Sequence, residues 1–292
     1  MGIKIFLDGK LVDREDAKVS VFDHGLLYGD GIFEGIRAYN RCVFKLREHL
    51  DRLFESAHSI MLTIPMTKKE LENAIIKTLK TNKLSDAYIR LVVTRGVGDL
   101  GLDPNKCKVA TIFIIADKIK LYPEEFYRKG LTIVTATTMR NLPETLNPSI
   151  KSLNYLNNIM AKIEACNAGC VEAIMLNKDG YVLECTGDNI FIVKRGKLIT
   201  PPTYLGALEG ITRNTIIECA KKFKIACDEH ILTRHDLFNA DEIFLTGTAA
   251  EVAPVVEVDK RTIGSGKPGE ISLKLLKAFR TIATKDGVKY TL

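Results

Sequence analysis

The stretch from Glu184 to Arg213 combines residue types that could bind an anion. Within it, Gly210, Ile211 and Thr212 open a predicted helix. Backbone amides at a helix start have no partner inside the helix, so they bind phosphate readily. Gly210 lets a ligand approach the main chain, and Thr212 adds a hydroxyl group. A helix start capped by the threonine is the more common arrangement, so this segment alone leaves both interpretations open.

The elements that would position this helix start form a predicted β-hairpin. Asn189 to Val193 is rich in β-branched and aromatic residues, which is typical of a strand. Lys197 to Thr200 is the return strand, and Pro201 and Pro202 end it. Apolar residues then recur at helical spacing through the helix from Arg213 to Phe223. The chain therefore enters the candidate anion site through a hairpin and leaves it through a helix.

The whole stretch resembles the signature of the class IV aminotransferases, the pyridoxal-phosphate enzymes that include the branched-chain aminotransferases. A match at so many positions is far more specific than a lone glycine motif. The resemblance spans Tyr28 to Glu251 and implies fold type IV. That is an α/β fold of the α+β type, with a small α/β domain and a larger domain of barrel-like β structure and helices. The residues that carry the resemblance in this stretch are Glu184, Thr186, Asn189, Ile190, Phe191, Leu198, Thr200, Leu208, Gly210, Ile211 and Arg213.

The resemblance implies that Lys151, in P-S-I-K-S-L-N-Y, is the catalytic lysine. In the family this lysine bonds to the aldehyde of pyridoxal 5′-phosphate, and its amine then moves a proton between the substrate's Cα and the cofactor's C4′. Without the resemblance, Lys151 is one lysine among many. Glu184 falls at the residue that pairs with the pyridinium nitrogen and keeps the ring able to accept electrons.

The other cofactor contacts are also implied by the resemblance. Arg52, the Ile211 and Thr212 helix start and Thr248 would hold the phosphate, in agreement with the candidate anion site. Tyr155 would bond the phenolic oxygen, and Leu208 would line the cofactor site.

The same resemblance places the substrate site. Tyr88 and the amides of Thr248 and Ala249 correspond to the groups that bind the α-carboxylate. The side-chain pocket must accept both an apolar branched side chain and the γ-carboxylate of glutamate. The expected reaction moves the amino group of L-leucine, L-isoleucine or L-valine to 2-oxoglutarate, in branched-chain amino acid biosynthesis or degradation. The residues that resemble the lining of this pocket are Tyr28, Phe33, Gly35, Arg37 and Arg90.

Arg95 leaves an alternative open. It lies in T-R-G, which also resembles D-amino-acid aminotransferases, where that arginine binds the substrate carboxylate. The motifs F-E-G-I-R and A-Y-I-R favour the branched-chain group instead. Aminodeoxychorismate lyase is a further alternative within the family. A non-catalytic protein that binds pyridoxal phosphate or phosphate is the alternative from another class.

Composition shifts suggest two domains joined by a linker. A chain of 292 residues is long enough for two. We expect a small α/β domain over residues 1–116, a polar linker containing Pro123 over 117–130, and a cofactor-binding domain over 131–292. Val19 to Phe22 is expected to be a short strand. The resemblance implies a homodimer or larger homo-oligomer, because the 96–102 loop and the Tyr28 region reach the neighbouring subunit's site in the family.

The charge distribution, the cysteines and the histidines argue against several other classes of protein. The net charge of +6 is spread along the chain, so no nucleic-acid partner is expected. No apolar run approaches a membrane span, and the start lacks the apolar region of a signal peptide. The seven cysteines form no C-x-x-C pair, which favours reduced thiols in a cytoplasmic protein. The five histidines are scattered, so no metal is expected.

Overall fold

The computed structural model describes residues 2–118 and 123–292. The strands, in chain order, are β1 Lys4–Leu7, β2 Lys10–Asp13, β3 Gly31–Tyr39, β4 Cys42–Phe44, β5 Ala87–Thr94, β6 Thr111–Asp117, β7 Leu131–Thr135, β8 Glu172–Leu176, β9 Val182–Cys185, β10 Asn189–Lys194, β11 Lys197–Thr200, β12 Cys227–Glu229, β13 Glu242–Gly247, β14 Glu251–Val258, β15 Arg261–Thr262 and β16 Gly287–Lys289. The α-helices are α1 His24–Tyr28, α2 Leu46–Ser59, α3 Lys68–Thr81, α4 Glu124–Lys129, α5 Leu156–Asn167, α6 Ile211–Lys222, α7 Arg234–Phe238 and α8 Glu270–Ala283.

The chain divides into two compact units. The first unit holds the described residues up to 118, together with Ile150–Asn154 and Ala283–Leu292. The second holds the described residues from 123 to 149 together with Tyr155–Ile282. Residues 150–154, which include Lys151, therefore pack with the first unit although the sequence groups them with 131–292. The predicted domain boundaries stay a prediction, and residues 119–122 of the predicted linker lie outside the described residues.

The first unit is built on an antiparallel sheet with two helices. The strand order is β16-β4-β3-β5-β6-β1-β2. Helices α2 and α3 contribute buried apolar residues to a core shared with the sheet, such as Leu53 and Ile75. A capping box starts α3, since the Thr67 hydroxyl accepts from the Glu70 amide and the Glu70 carboxylate accepts from the Thr67 amide.

Alternation along β3 separates two sets of side chains. Successive residues of a strand point to opposite faces of its sheet. Ile32 and Ile36 belong to the buried core shared with α2, and Glu34 lies between them on the same face. Phe33 and Gly35 consequently point to the opposite face. This alternation places a carboxylate against α2 and leaves the other face of β3 for a binding surface.

The second unit is built on a sheet that closes on itself. Its strand order is β12-β11-β10-β13-β14-β7-β8-β9, and β15 pairs with β14. The six strands from β10 to β9 in this order form a barrel-like sheet, because the first and last of them, β10 and β9, lie in contact with each other. Phe191 and Phe244 stack with their ring centroids 5.1 Å apart. The predicted combination of an α/β unit with a barrel-like unit carrying helices is confirmed.

Two local predictions differ from the structure. Val19–Phe22 is not a strand: Val21 and Phe22 lie in a turn and are exposed. The strand-like pairing that follows is the single bridge between Asp23 and Val97. The predicted polar linker contains the short helix α4. No helix in the described part of the chain is long and apolar enough to cross a membrane.

Candidate active site

Lys151 lies in a short segment that extends the sheet of the first unit beside β3. Its carbonyl accepts a hydrogen bond from the Phe33 amide at 3.0 Å, and its amide donates to Ser56 Oγ on α2 at 3.1 Å. A bridge between Ile32 and Ser152 continues the pairing. Lys151 Nζ lies 4.6 Å from the centroid of the Phe33 ring. The main chain of Lys151 is thus held from two sides while its amine lies over an aromatic ring.

Glu34 of β3 forms a cluster with His49 and Arg52 of α2, in which Glu34 and His49 are buried and Arg52 is partly buried. Glu34 is fully buried. It accepts from Arg52 Nε and Nη2, both at 2.8 Å, and from His49 Nδ1 at 2.7 Å. Burial raises the pKa of the Glu34 carboxyl, but the Arg52 guanidinium and His49 outweigh it and hold that pKa at about 2. Glu34 is therefore ionised at neutral pH.

His49 contributes a hydrogen bond to the cluster without adding a charge. Burial lowers the pKa of its imidazole more than Glu34 raises it, so the ring is neutral at pH 7. Since an ionised carboxylate only accepts, His49 Nδ1 must carry the proton that is donated to Glu34. Glu34 and His49 are not among the site residues predicted from the sequence. A usable signal was present, because Glu34 places a charge at a core-facing position of a strand.

One face of α2 carries three of these groups. The spacing i, i+3 and i+7 places three residues on one side of this helix: His49, Arg52 and Ser56. Two of them reach Glu34, and the third reaches the Lys151 main chain. The helix thereby positions both the predicted phosphate arginine and the predicted catalytic lysine.

The opposite face of β3 and the adjoining residues of β5 bring the predicted pocket residues together. The register pairs Gly35 with Arg90 and Arg37 with Tyr88. The Arg90 guanidinium carbon lies 4.5 Å from the Phe33 ring centroid, and Arg90 Nη2 lies 3.2 Å from Tyr88 Oη. A Cβ at Gly35 would lie 2.2 Å from Tyr88 Oη, so only a residue without a side chain leaves the phenol in place. The result is an apolar wall with a guanidinium and a phenol.

Tyr28 lies at the end of α1 and is bound to the 96–102 loop. Its hydroxyl donates to the Leu100 carbonyl, and its ring meets the His24 ring edge to face. The His24 Nε2 atom lies 2.8 Å from the Asp99 carbonyl oxygen. Helix α1 and this loop are therefore held together as one surface of the first unit.

Arg95 is held by neighbouring groups in the first unit. Its Nε and Nη2 donate to the Asp30 carboxylate at 2.9 and 3.0 Å. Nη1 donates to the Met61 carbonyl and Nη2 to the Ile60 carbonyl, each at 2.7 Å. The residue is only 9% exposed. Arg95 thus ties Asp30 to the carbonyls that follow α2.

Glu184 is the centre of a polar network in the second unit. It is 5% exposed, and its Oε1 accepts from Arg140 Nε at 2.8 Å. Its Oε2 accepts from the Leu208 amide at 3.0 Å and from Asn189 Nδ2 at 3.3 Å. Arg140 Nη1 also donates to Asn158 Oδ1 at 2.8 Å. The carboxylate is therefore fixed in orientation and balanced by one positive charge.

Arg140 and Asn158 are likewise absent from the site residues predicted from the sequence. They lie 44 and 26 residues before Glu184, and no local pattern marks either of them. Asn158 Nδ2 donates to the Thr186 carbonyl at 2.7 Å, so the network returns to the stretch that begins at Glu184.

The start of α6 has the character of an anion site. Its N-cap is Gly210, and no side chain caps the helix. The alternative of a threonine-capped start is wrong, since Thr212 lies inside the helix rather than at its N-cap. Arg213 is buried, and its guanidinium donates hydrogen bonds to the Pro201 carbonyl and to the Glu229 carboxylate. The first amides of α6 therefore remain without a side-chain cap.

The donor groups of the second unit fit the cofactor that the resemblance implies. The Thr246 hydroxyl is buried and has no hydrogen-bond partner among the described residues. Thr246 pairs with Asn189 across β13 and β10, so the two side chains share a face. Asn189 in turn contacts Glu184. A helix start without a side-chain cap, an unsatisfied hydroxyl and a fixed carboxylate suit a ligand with a phosphate and a ring nitrogen.

The predicted site residues are distributed over both units. Thr248 and Ala249 lie in the turn between β13 and β14, and Tyr155 is the N-cap of α5. The first unit holds Tyr28, Phe33, Gly35, Arg37, Arg52, Tyr88, Arg90 and Lys151, and the second holds Tyr155, Glu184, Leu208, Ile211, Thr212, Thr248 and Ala249.

Among the described residues, no group of three or more His, Cys, Asp or Glu side chains could hold a metal ion.

A family model, sequence relatives and solved structures all relate this chain to the same family of proteins. The family model described as amino-transferase class IV matches residues 31–258. A putative branched-chain-amino-acid aminotransferase of Methanocaldococcus jannaschii is 55% identical over 287 residues, covering 98% of this chain and 99% of that protein. The crystal structure of the Escherichia coli branched-chain amino acid aminotransferase has a TM-score of 0.95 at 36% identity, covering 99% of this chain and 97% of that one. The structure of a T.th. branched-chain amino acid aminotransferase with pyridoxamine 5′-phosphate has a TM-score of 0.93 at 37% identity, covering 97% and 95%.

Proposed function

The chain belongs to the class IV aminotransferases, and from that premise we propose that it moves the amino group of L-leucine, L-isoleucine or L-valine to 2-oxoglutarate. It is an enzyme of fold type IV that depends on pyridoxal phosphate. The observation that carries the substrate assignment is the match to branched-chain aminotransferases over nearly the whole chain. Membership in this family sets aside the alternative of a non-catalytic binding protein.

The pocket residues of the first unit support this substrate class. The ring of Phe33 provides an apolar surface for a branched side chain, and the Arg90 guanidinium beside it provides a charge for the γ-carboxylate of glutamate. Tyr88 adds a phenol for a substrate carboxylate. One surface of this kind accommodates both an apolar donor and an acidic acceptor, as a transamination between them requires.

The roles of the catalytic residues follow from their chemistry. When bound, pyridoxal phosphate supplies the aldehyde that takes up the amino group and a ring that accepts the electrons released at the α-carbon. We assign Lys151 to holding the cofactor and taking the proton from the substrate's α-carbon. Glu184 keeps a negative charge at the ring nitrogen, and Arg140 keeps Glu184 in place. Arg52, Ile211, Thr212 and Thr248 bind the phosphate.

The surroundings of Arg95 argue against a D-amino-acid aminotransferase. That alternative requires the arginine to bind the substrate carboxylate. Here its guanidinium donates four hydrogen bonds to Asp30, Ile60 and Met61. Moving it to a substrate would leave the partly buried Asp30 carboxylate without its cation, which is costly. Arg95 is thus a structural residue in this proposal.

An amino-donor panel tests the proposed function. With 2-oxoglutarate as acceptor, we expect L-leucine to react at least about 100-fold faster than D-alanine, because the pocket discriminates by differential binding. The matched variant Arg95→Met should lower the thermal unfolding midpoint and leave the ratio of L-leucine to D-alanine rates unchanged. Turnover of D-alanine in place of L-leucine would overturn the substrate assignment.

We further propose that the enzyme is a homodimer or larger homo-oligomer in the cytoplasm and binds no nucleic acid. Exposed apolar residues on α1 and the 96–102 loop support an interface with a second copy, among them Leu26, Leu100 and Leu102. Sedimentation equilibrium tests the assembly, and a monomer at micromolar concentration would contradict it. Cell fractionation tests the location.

A further inference from the structure

The fully buried Glu34 carboxylate holds Arg52, whose side chain is 12% exposed, by two parallel hydrogen bonds. Both bonds are 2.8 Å long and use the Nε and Nη2 atoms of the guanidinium. Glu34 itself is 0% exposed and sits in the middle of β3. A two-point pair of this geometry fixes both the position and the plane of the guanidinium, which a single contact does not.

We infer that Glu34 is a positioning residue that orients Arg52 for the cofactor's phosphate. The inference rests on the proposed role of Arg52 as a phosphate ligand. An arginine side chain loses much rotamer freedom when it is ordered. If Glu34 orders it before the cofactor binds, that entropy is not lost again on binding, and the affinity for the phosphate increases.

The charge balance of the cluster supports orientation over simple attraction. Arg52 carries one positive charge and Glu34 one negative charge, while His49 is neutral at pH 7 because burial lowers its pKa. The pair therefore has no net charge. Its contribution to phosphate binding comes from directed donors rather than from excess positive charge, so loss of Glu34 should weaken binding although it makes the site more positive.

A general role of Glu34 in supporting α2 has to be distinguished from its proposed role in orienting Arg52. Helix α2 also holds the Lys151 main chain through Ser56, so a disturbed α2 would weaken every contact of the cofactor. Orientation of Arg52, by contrast, affects the phosphate alone. Pyridoxal, which lacks the phosphate, distinguishes the two cases.

The experiment measures dissociation constants of pyridoxal 5′-phosphate and of pyridoxal for the cofactor-free protein, by absorbance of the bound form. The readout is the ratio of the pyridoxal constant to the pyridoxal 5′-phosphate constant. In Glu34→Gln we expect this ratio to fall by about 10- to 100-fold, since the amide cannot pair with the guanidinium through two acceptors. Glu34→Asp keeps the charge but is shorter, and should give a smaller fall. Glu48→Gln, a carboxylate on the same helix that is exposed, is the matched control and should leave the ratio unchanged.

The outcomes separate the inference from the function it rests on. If Glu34→Gln weakens both ligands equally, or neither, Glu34 does not orient Arg52 and the inference is overturned. If Arg52→Met also leaves the ratio unchanged, the proposed role of Arg52 fails instead. Thermal unfolding of the cofactor-free variants reports whether they fold. Should Glu34→Gln not fold, the ratio in Glu34→Asp decides, a fall supporting the inference and an unchanged ratio overturning it.

Discussion

We expect Lys151→Ala to lower the transamination rate by at least about 10⁴-fold, because the substitution removes both the amine that holds the cofactor and the group that moves the substrate's proton. The main chain at this position is held by Phe33 and Ser56, so the substitution should not disturb the segment. The rate is measured with L-leucine and 2-oxoglutarate at saturating pyridoxal phosphate.

Chemical labelling gives a second measurement of the same residue. Borohydride reduction of the loaded protein should attach the cofactor to the peptide that contains Lys151, and mass spectrometry identifies it. Lys178→Ala, at an exposed turn between β8 and β9, is the control and should keep full activity. Full activity in Lys151→Ala, or label at another lysine, would contradict the assignment.

Glu184→Gln is expected to lower kcat by about 10²- to 10³-fold, the loss typical of removing one preorganised electrostatic contact. Glutamine cannot keep a negative charge at the ring nitrogen, so the ring accepts electrons less readily. The substitution also leaves Arg140 without its carboxylate, and removing one partner of a buried pair costs about 3–5 kcal/mol of stability.

The two effects of Glu184→Gln are separated by measurement. Thermal unfolding reports the loss of the pair with Arg140, whereas kcat of the folded, saturated enzyme reports the loss of charge at the ring. The absorbance of the bound cofactor as a function of pH should also shift. Glu218→Gln, on the far side of α6 from its buried residues, should change none of these quantities. An unchanged kcat in Glu184→Gln would show that this carboxylate does not act on the ring.

The family and the general fold could be predicted because their signals are local. The match from Glu184 to Arg213 lies within one hairpin and one helix start, and the structure forms β10, β11 and α6 there. The capping box at Thr67 and Glu70 is a local feature of the same kind, since its two partners are three residues apart. The functional roles of the individual site residues stay predictions.

Partners distant along the chain could not be predicted in the same way. Arg140 and Glu184 are 44 residues apart, and Arg95 and Asp30 are 65 apart. No local pattern announces either pairing. Arg95 in particular has the same sequence context as a substrate-binding arginine, and only its buried hydrogen bonds distinguish the two roles.

The sequence by itself determined the family and the cofactor, and it supplied the candidate residues, because its motifs resemble those of a known family and such a resemblance can be recognised without the fold. The tertiary structure decided which charges pair: Glu34 with Arg52, Glu184 with Arg140, and Asp30 with Arg95. It also decided that Gly210 is the N-cap of α6 and that no side chain caps this helix. The physical reason is that the pairing of a buried charge depends on which elements pack together, and packing joins residues whose separation along the chain carries no local signal.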